Sequence, residues 1–170
     1  MKQTILAILL AAALPHAFAD DDLVGLKQDA QKCAKALLSS DYNGVVTYTH
    51  KRVIAGLGGK EAMIATLNRG TDEMHAQGIS FVRIDIGNPE RPRKVGEWFI
   101  ALVPQKTVME VTGGHLEQES RLLGISEDNK KSWVFVDVGP ISNEQFSQVF
   151  PELAGKIQLP EKKKPVFKRD

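Results

Sequence analysis

Tyr48 and His50 stand two positions apart and are the side chains in this sequence best suited to moving protons. A phenol stabilises an enolate by donating its hydroxyl, and an imidazole exchanges a proton near neutral pH. On a helix, positions i and i+2 do not share a face, so the two converge only if the chain is already extended at Tyr48. The structural alternative puts the tyrosine ring in the core with its hydroxyl at the rim, and the histidine at a helix end. Tyr42 is a third polar aromatic in the same segment. His75 falls near the end of a predicted helix, where a cation complements the dipole. His115 follows Gly113-Gly114 in a turn. None of these histidines has the close His-x-x-x-His or Glu-His spacing of a metal site, and no metal is expected. The glycine-rich stretches at 56–59 and 113–114 lack phosphate-loop spacing. Ser39, Ser40 and Ser120 lack a nucleophile context. No cofactor is expected.

The elements that must hold these groups belong to a chain of 170 residues, 42% hydrophobic and 25% charged. Those proportions exclude collagen, coiled-coil and polytopic membrane architectures and fit one globular domain. With 22 basic against 21 acidic residues, nothing marks nucleic acid or anionic lipid as a partner. Lys2, the apolar run from Ile5 to Leu14 and the Ala17-Phe18-Ala19 ending have the pattern of a secretory signal peptide. The run is too short to span a bilayer, which takes about 20 residues. Residues 1–19 are therefore expected to be a signal peptide, 20–140 the folded domain, and 141–170 a short helix with an extended basic tail. An exported chain with Cys33 as its one cysteine has no internal disulfide. Cys33 lies on the apolar face of a predicted helix and reads as a core residue.

Leu23, Leu26, Ala30, Cys33, Ala34, Leu37 and Leu38 recur at helical intervals. Asp41 is placed to cap a second, shorter helix carrying Tyr42, Val45 and Val46. Gly56–Gly59 is a turn, and a third helix presents Met63, Leu67, Gly70 and Met74 on one face. The period then changes. Residues 79–87, 95–103, 107–112, 116–125 and 132–138 read as strands separated by turn residues. Short connections make consecutive strands antiparallel. Helices followed by a meander predict an α+β fold, with three N-terminal helices in the concave face of a curved antiparallel sheet. Ser142-Asn143-Glu144-Gln145 has the spacing of a capping box and starts a short helix. The last ten residues carry five basic and two acidic side chains and read as a mobile tail.

This element order resembles the nuclear-transport-factor-2-like superfamily, whose relatives include ketosteroid isomerase and polyketide-cyclase-like proteins. The resemblance runs from Leu23 to Val138. It rests on the long first helix, on Asp41-Tyr42 through Tyr48-Thr49-His50, on Gly58-Gly59-Lys60-Glu61-Ala62, and on the closing sheet. Ala101-Leu102-Val103-Pro104 and Ile125–Asp137 are similar to segments of small exported bacterial members. The resemblance implies a cone, with a pocket between the sheet and the three helices, and pairing of copies through the sheet. In its enzymes a carboxylate inside the cone does general acid–base work.

Alternation sorts the strand residues by face. The more apolar phase is expected to face the helices, because burying an unpaired charge costs several kcal/mol. That places Trp98, Met109, Gln118 and Ser120 near the cavity together with Tyr42, Tyr48 and His50. It places Arg83, Asp85, Glu97, Glu110, Glu119, Arg121 and Asp137 outside, with Phe99, Trp133 and Phe135 forming the aromatic centre of a homodimer face. A β-bulge would reverse part of this. The expected function is an exported, periplasmic or secreted module that binds a small apolar ligand or a protein partner. The alternative is a cofactor-free isomerase, dehydratase or cyclase, in which Tyr48 and His50 act with Asp85, Glu97, Glu110 or Asp137 turned inward.

Overall fold

The computed structural model of the chain describes residues 18–169, so the segment read as a signal peptide lies almost wholly outside them. The fold is α+β, as expected: four N-terminal helices precede a six-stranded sheet whose paired strands all run antiparallel. No helix among the described residues is long and apolar enough to cross a membrane.

Helix α1 spans Phe18–Leu38 and buries Leu26, Ala30 and Ala34 along one stripe. The Asp41 carboxylate accepts the Gly44 N–H at 3.0 Å and caps α2, Tyr42–Thr47. Gly44 is required there, since a Cβ would lie 2.9 Å from the Ala36 methyl and 2.6 Å from the Asp41 carboxylate. A short helix that the periodicity did not predict, α3, covers Lys51–Gly56. Helix α4, Lys60–Ala76, completes the helical half, and its Met63 packs with Tyr42, Val45 and Val46 in a separate small core.

The sheet is built on one long hairpin. Strand β3, Trp98–Val111, pairs with β4, Gly114–Ser126, from Phe99 to its end. The sequence reading broke β3 at Pro104. The proline fits inside the strand because its backbone faces the side where β1, Ser80–Ile86, is ending, and its carbonyl there accepts the Gly87 N–H at 2.8 Å. Strands β1 and β2 (Arg93–Val95) share one edge of β3. On the far edge of β4 lie β5, Val134–Asp137, and β6, Val166–Arg169. The expected mobile tail is thus a strand. Lys168 pairs with Glu117 at 2.8 Å and Lys163 with Glu119 at 2.5 Å.

The facing assignment is reversed for the first half of β3 and for β5, and holds for β1 and β4, where Ile86 and Leu122 face α1 as expected. Phe99, Ala101, Val103, Leu122, Trp133 and Phe135 pack against Leu26 and Ala30 of α1. The other phase, Ile100, Leu123, Ile125, Val136 and Val138, packs against Phe146 and Phe150 around α5 (Asn143–Val149) and against Leu153 of a following 3-10 turn, Pro151–Leu153. Both faces of the sheet are covered at this end, so both phases are apolar. Trp133 and Phe135 are buried and Phe99 is half-buried, and they form no exposed homodimer face. At this end of the sheet these same aromatic rings fill the space beside α1. Helix α5 carries the predicted capping box, with the Ser142 hydroxyl on the Gln145 N–H and the Gln145 side chain on the Ser142 N–H. The bulge falls at Val82 in β1, not at Gly87, Gly96 or Gly124.

Candidate functional site

His50 has 0% of its surface exposed and sits where the helical half meets the sheet. Its backbone N–H donates to the Phe135 carbonyl at 3.1 Å, and the Phe135 N–H returns to Tyr48 at 2.7 Å, tying this segment to the free edge of β5. The imidazole Nδ1 accepts the Arg52 N–H at 3.2 Å and so caps α3. An accepting Nδ1 puts the ring proton on Nε2. That atom lies 3.5 Å from Glu127 Oε1, and its geometry makes no hydrogen bond, so the contact is electrostatic. Burial is the main influence on the imidazole and lowers its pKa below 6.5. Glu127 opposes that shift, while Lys51 and Arg52 add to it. Lys51, hydrogen-bonded to Glu127 at 2.5 Å, is the main reason that this carboxyl lies below its ordinary range.

Tyr48 and His50 do not act as a pair. Tyr48 ends α2 in a turn conformation, φ −97° and ψ 4°, and packs with the α1-facing cluster. His50 joins the opposite face, edge-on to Trp98 at 5.8 Å and to Phe150 at 5.0 Å between ring centres. The acids expected beside them lie elsewhere. Asp85 pairs with Arg83 at 2.9 Å, and Glu97 and Glu110 are exposed. Asp137, expected on the outer face, lies on the α1 side of β5 and accepts the Gly139 N–H; it keeps exposed surface, while partial desolvation raises its pKa. The carboxylate that meets His50 is Glu127, which the sequence reading had placed in a turn. Such a buried, capping imidazole is suited to holding α3 in place.

The expected ligand residues are dispersed. Tyr42 is buried with its hydroxyl on Thr71 at 2.8 Å. Met109 lies in β3 between Phe81 and Leu116. Gln118 and Ser120, with Asp85, line a cavity of about 620 Å³ walled on one side by Pro160–Lys163. Its cations are already engaged: Lys106 with Glu117, Arg121 with Glu90, Lys163 with Glu119, and Lys162 with the Pro140 carbonyl. A smaller cavity of about 330 Å³ lies at Thr49, His50, Glu127 and Ser132.

The apolar concavity is between α3 and α5, on the side of the sheet away from α1. A groove of about 410 Å³ is lined by Val53 and Leu57 from the α3 side and by Ile141, Phe146, Val149 and Phe150 from the α5 side. Leu57 and Val149 stay 44% and 37% exposed at its rim. Arg52 lies along the same rim. Its guanidinium stacks 5.1 Å from the Trp98 ring and donates to the Val149 carbonyl at 3.0 Å. It also forms a two-pronged pair with Glu152, at 2.8 and 2.6 Å. Of the sequence-predicted site residues, Trp98 and His50 support this groove from beneath. The groove itself was missed because α3 is too short to show periodicity. The exposed Leu57 next to the glycine turn was the available signal.

Comparison with known proteins returns no match to a family model, a curated protein or a solved structure.

Proposed function

We propose that this chain is an exported, non-catalytic binding module whose ligand is a small apolar molecule held in the groove between α3 and α5. The observation that carries the reading is a concave surface lined almost wholly by aliphatic and aromatic side chains, with two large apolar residues left exposed at its mouth. Small-molecule sites combine such a lining with a few polar groups, and a volume near 400 Å³ falls within their usual span of about 300–1,000 Å³. Export is supported by the N-terminal sequence pattern.

Titration of the full chain with the neutral fluorophore N-phenyl-1-naphthylamine tests the reading. Saturable binding is expected, and Leu57→Asp weakens it at least about tenfold, since a buried leucine contributes about 1.5–3 kcal/mol. Val82→Asp, at an exposed apolar residue on β1, leaves binding unchanged. Equal loss in both variants, or no saturable binding to the parent chain, overturns the proposal.

A further inference from the structure

The groove is apolar along its floor, but its rim carries one charged group set out in a recognisable way. Arg52 is anchored from two sides, by the Val149 carbonyl and by the Trp98 and Phe150 rings below it. Its two terminal nitrogens point together at one carboxylate, that of Glu152. Parallel N–H donation of this kind is the geometry by which a guanidinium recognises carboxylates. Glu152 is 51% exposed on its side chain and belongs to the 3-10 turn after α5, whereas Arg52 is 33% exposed. The arginine is therefore the fixed partner and the glutamate the more exposed one. In solvent contact the pair is screened, so one carboxylate can take the place of another on the same guanidinium at small cost.

We propose that the ligand of this groove is an amphipathic carboxylate, an apolar chain or ring ending in a carboxyl group, whose head replaces Glu152 on Arg52. This rests on the α3–α5 groove being the binding site. In the unliganded chain Glu152 stands where the ligand's carboxylate binds, and keeps the guanidinium oriented for it. On binding, the apolar body lies over Val53, Phe146 and Phe150, and the Glu152 side chain turns to solvent. No covalent step is involved.

Calorimetric titration of the full-length chain with octanoate, octan-1-ol and octylammonium separates the two readings. Octanoate is expected to bind at least about tenfold more tightly than octanol, and octylammonium more weakly than either. Glu152→Gln removes the competing charge. It is expected to tighten octanoate up to about fivefold and to leave octanol unchanged. Arg52→Lys keeps the charge but loses the fork, and brings octanoate close to octanol. Octanol binding to each variant reports that the groove is still formed. Equal affinities of octanoate and octanol for the parent chain overturn the carboxylate proposal while the groove reading stands. Octanoate binding that Glu152→Gln fails to strengthen also overturns it. Absence of binding by all three compounds overturns the groove reading and the proposal with it.

Discussion

Gly124 lies at the centre of the sheet face that α1 covers, and adding one methyl group there distinguishes the two possible facings by sign. A Cβ at this position would lie 2.8 Å from Leu26 Cδ1, 3.3 Å from the Phe135 ring and 3.4 Å from the Trp133 ring. Leu26, Trp133 and Phe135 are all buried, so the leucine methyl has no open space to swing into. Overpacking a filled core costs about 1–3 kcal/mol. Against that, replacing glycine with alanine in a compatible backbone gains about 0.4–1 kcal/mol by restricting the unfolded chain. Gly124→Ala is therefore expected to destabilise by about 1 kcal/mol, a fall in Tm of about 2–4 °C for a chain of this size. Urea unfolding followed by tryptophan emission measures it. Leu26→Ala alone leaves a cavity and costs about 2–5 kcal/mol. In the double variant the new methyl occupies part of that cavity. The combined loss is then smaller than the sum by at least about 0.5 kcal/mol. A Gly124→Ala chain that is more stable than its parent, or strict additivity with Leu26→Ala, would refute the packing of α1 on this face.

Other expectations follow from neighbouring features. Because the folded pKa of His50 lies below 6.5, the unfolded state binds more protons as pH falls. Stability present above pH 6.5 is then lost below it, with a slope of at most about 1.4 kcal/mol per pH unit. His50→Asn keeps a capping acceptor and flattens that part of a pH series of urea midpoints. Gly114→Ala sets a Cβ 2.2 Å from the Lys168 carbonyl. It should free β6, seen as faster amide exchange at 166–169 with the rest of the sheet unchanged. Tyr42→Phe loses the hydroxyl contact to Thr71 and should cost about 0.5–1.5 kcal/mol in the same unfolding assay. Burial, with Asp137 adding to it, pushes the Cys33 thiol up to about 11, so the native protein should resist thiol reagents at pH 8 until denatured.

The α+β class and most element positions were legible because periodicity reports local geometry. α1, α2, α4 and the α5 capping box fall where their patterns put them. The facing of β5 and of the first half of β3 was misread for a definite reason. Alternation can identify a core side only when the other side meets water, and here Val134 and Val136 pack against the α5 side while Trp133 and Phe135 pack against α1. Two apolar phases in one strand were the sign of a sheet covered on both faces. The extra helix α3 has six residues, too few for a period, and its cap is a histidine, outside the usual capping set. Glu127 became the neighbour of His50 through a pairing between Thr49 and Phe135 that local sequence does not record. Pro104 shows the same limit, since whether a proline interrupts a strand depends on where the adjacent strand ends.

The C-terminal position of β6 has a consequence for the order in which the molecule can be assembled. The β3–β4 hairpin is local in sequence and can form as soon as residue 126 is available. Its outer edge at Gly114–Glu117 is covered, among the described residues, by Val166–Arg169, which follows the hairpin by about forty residues and is made after it. Until β6 pairs, that edge is open, and an open edge is a template for unwanted pairing. Glu119, whose lysine partner Lys163 lies in the tail, leaves a charge beside that edge until the tail is in place, and charge on an exposed edge is one of the ways proteins discourage such pairing.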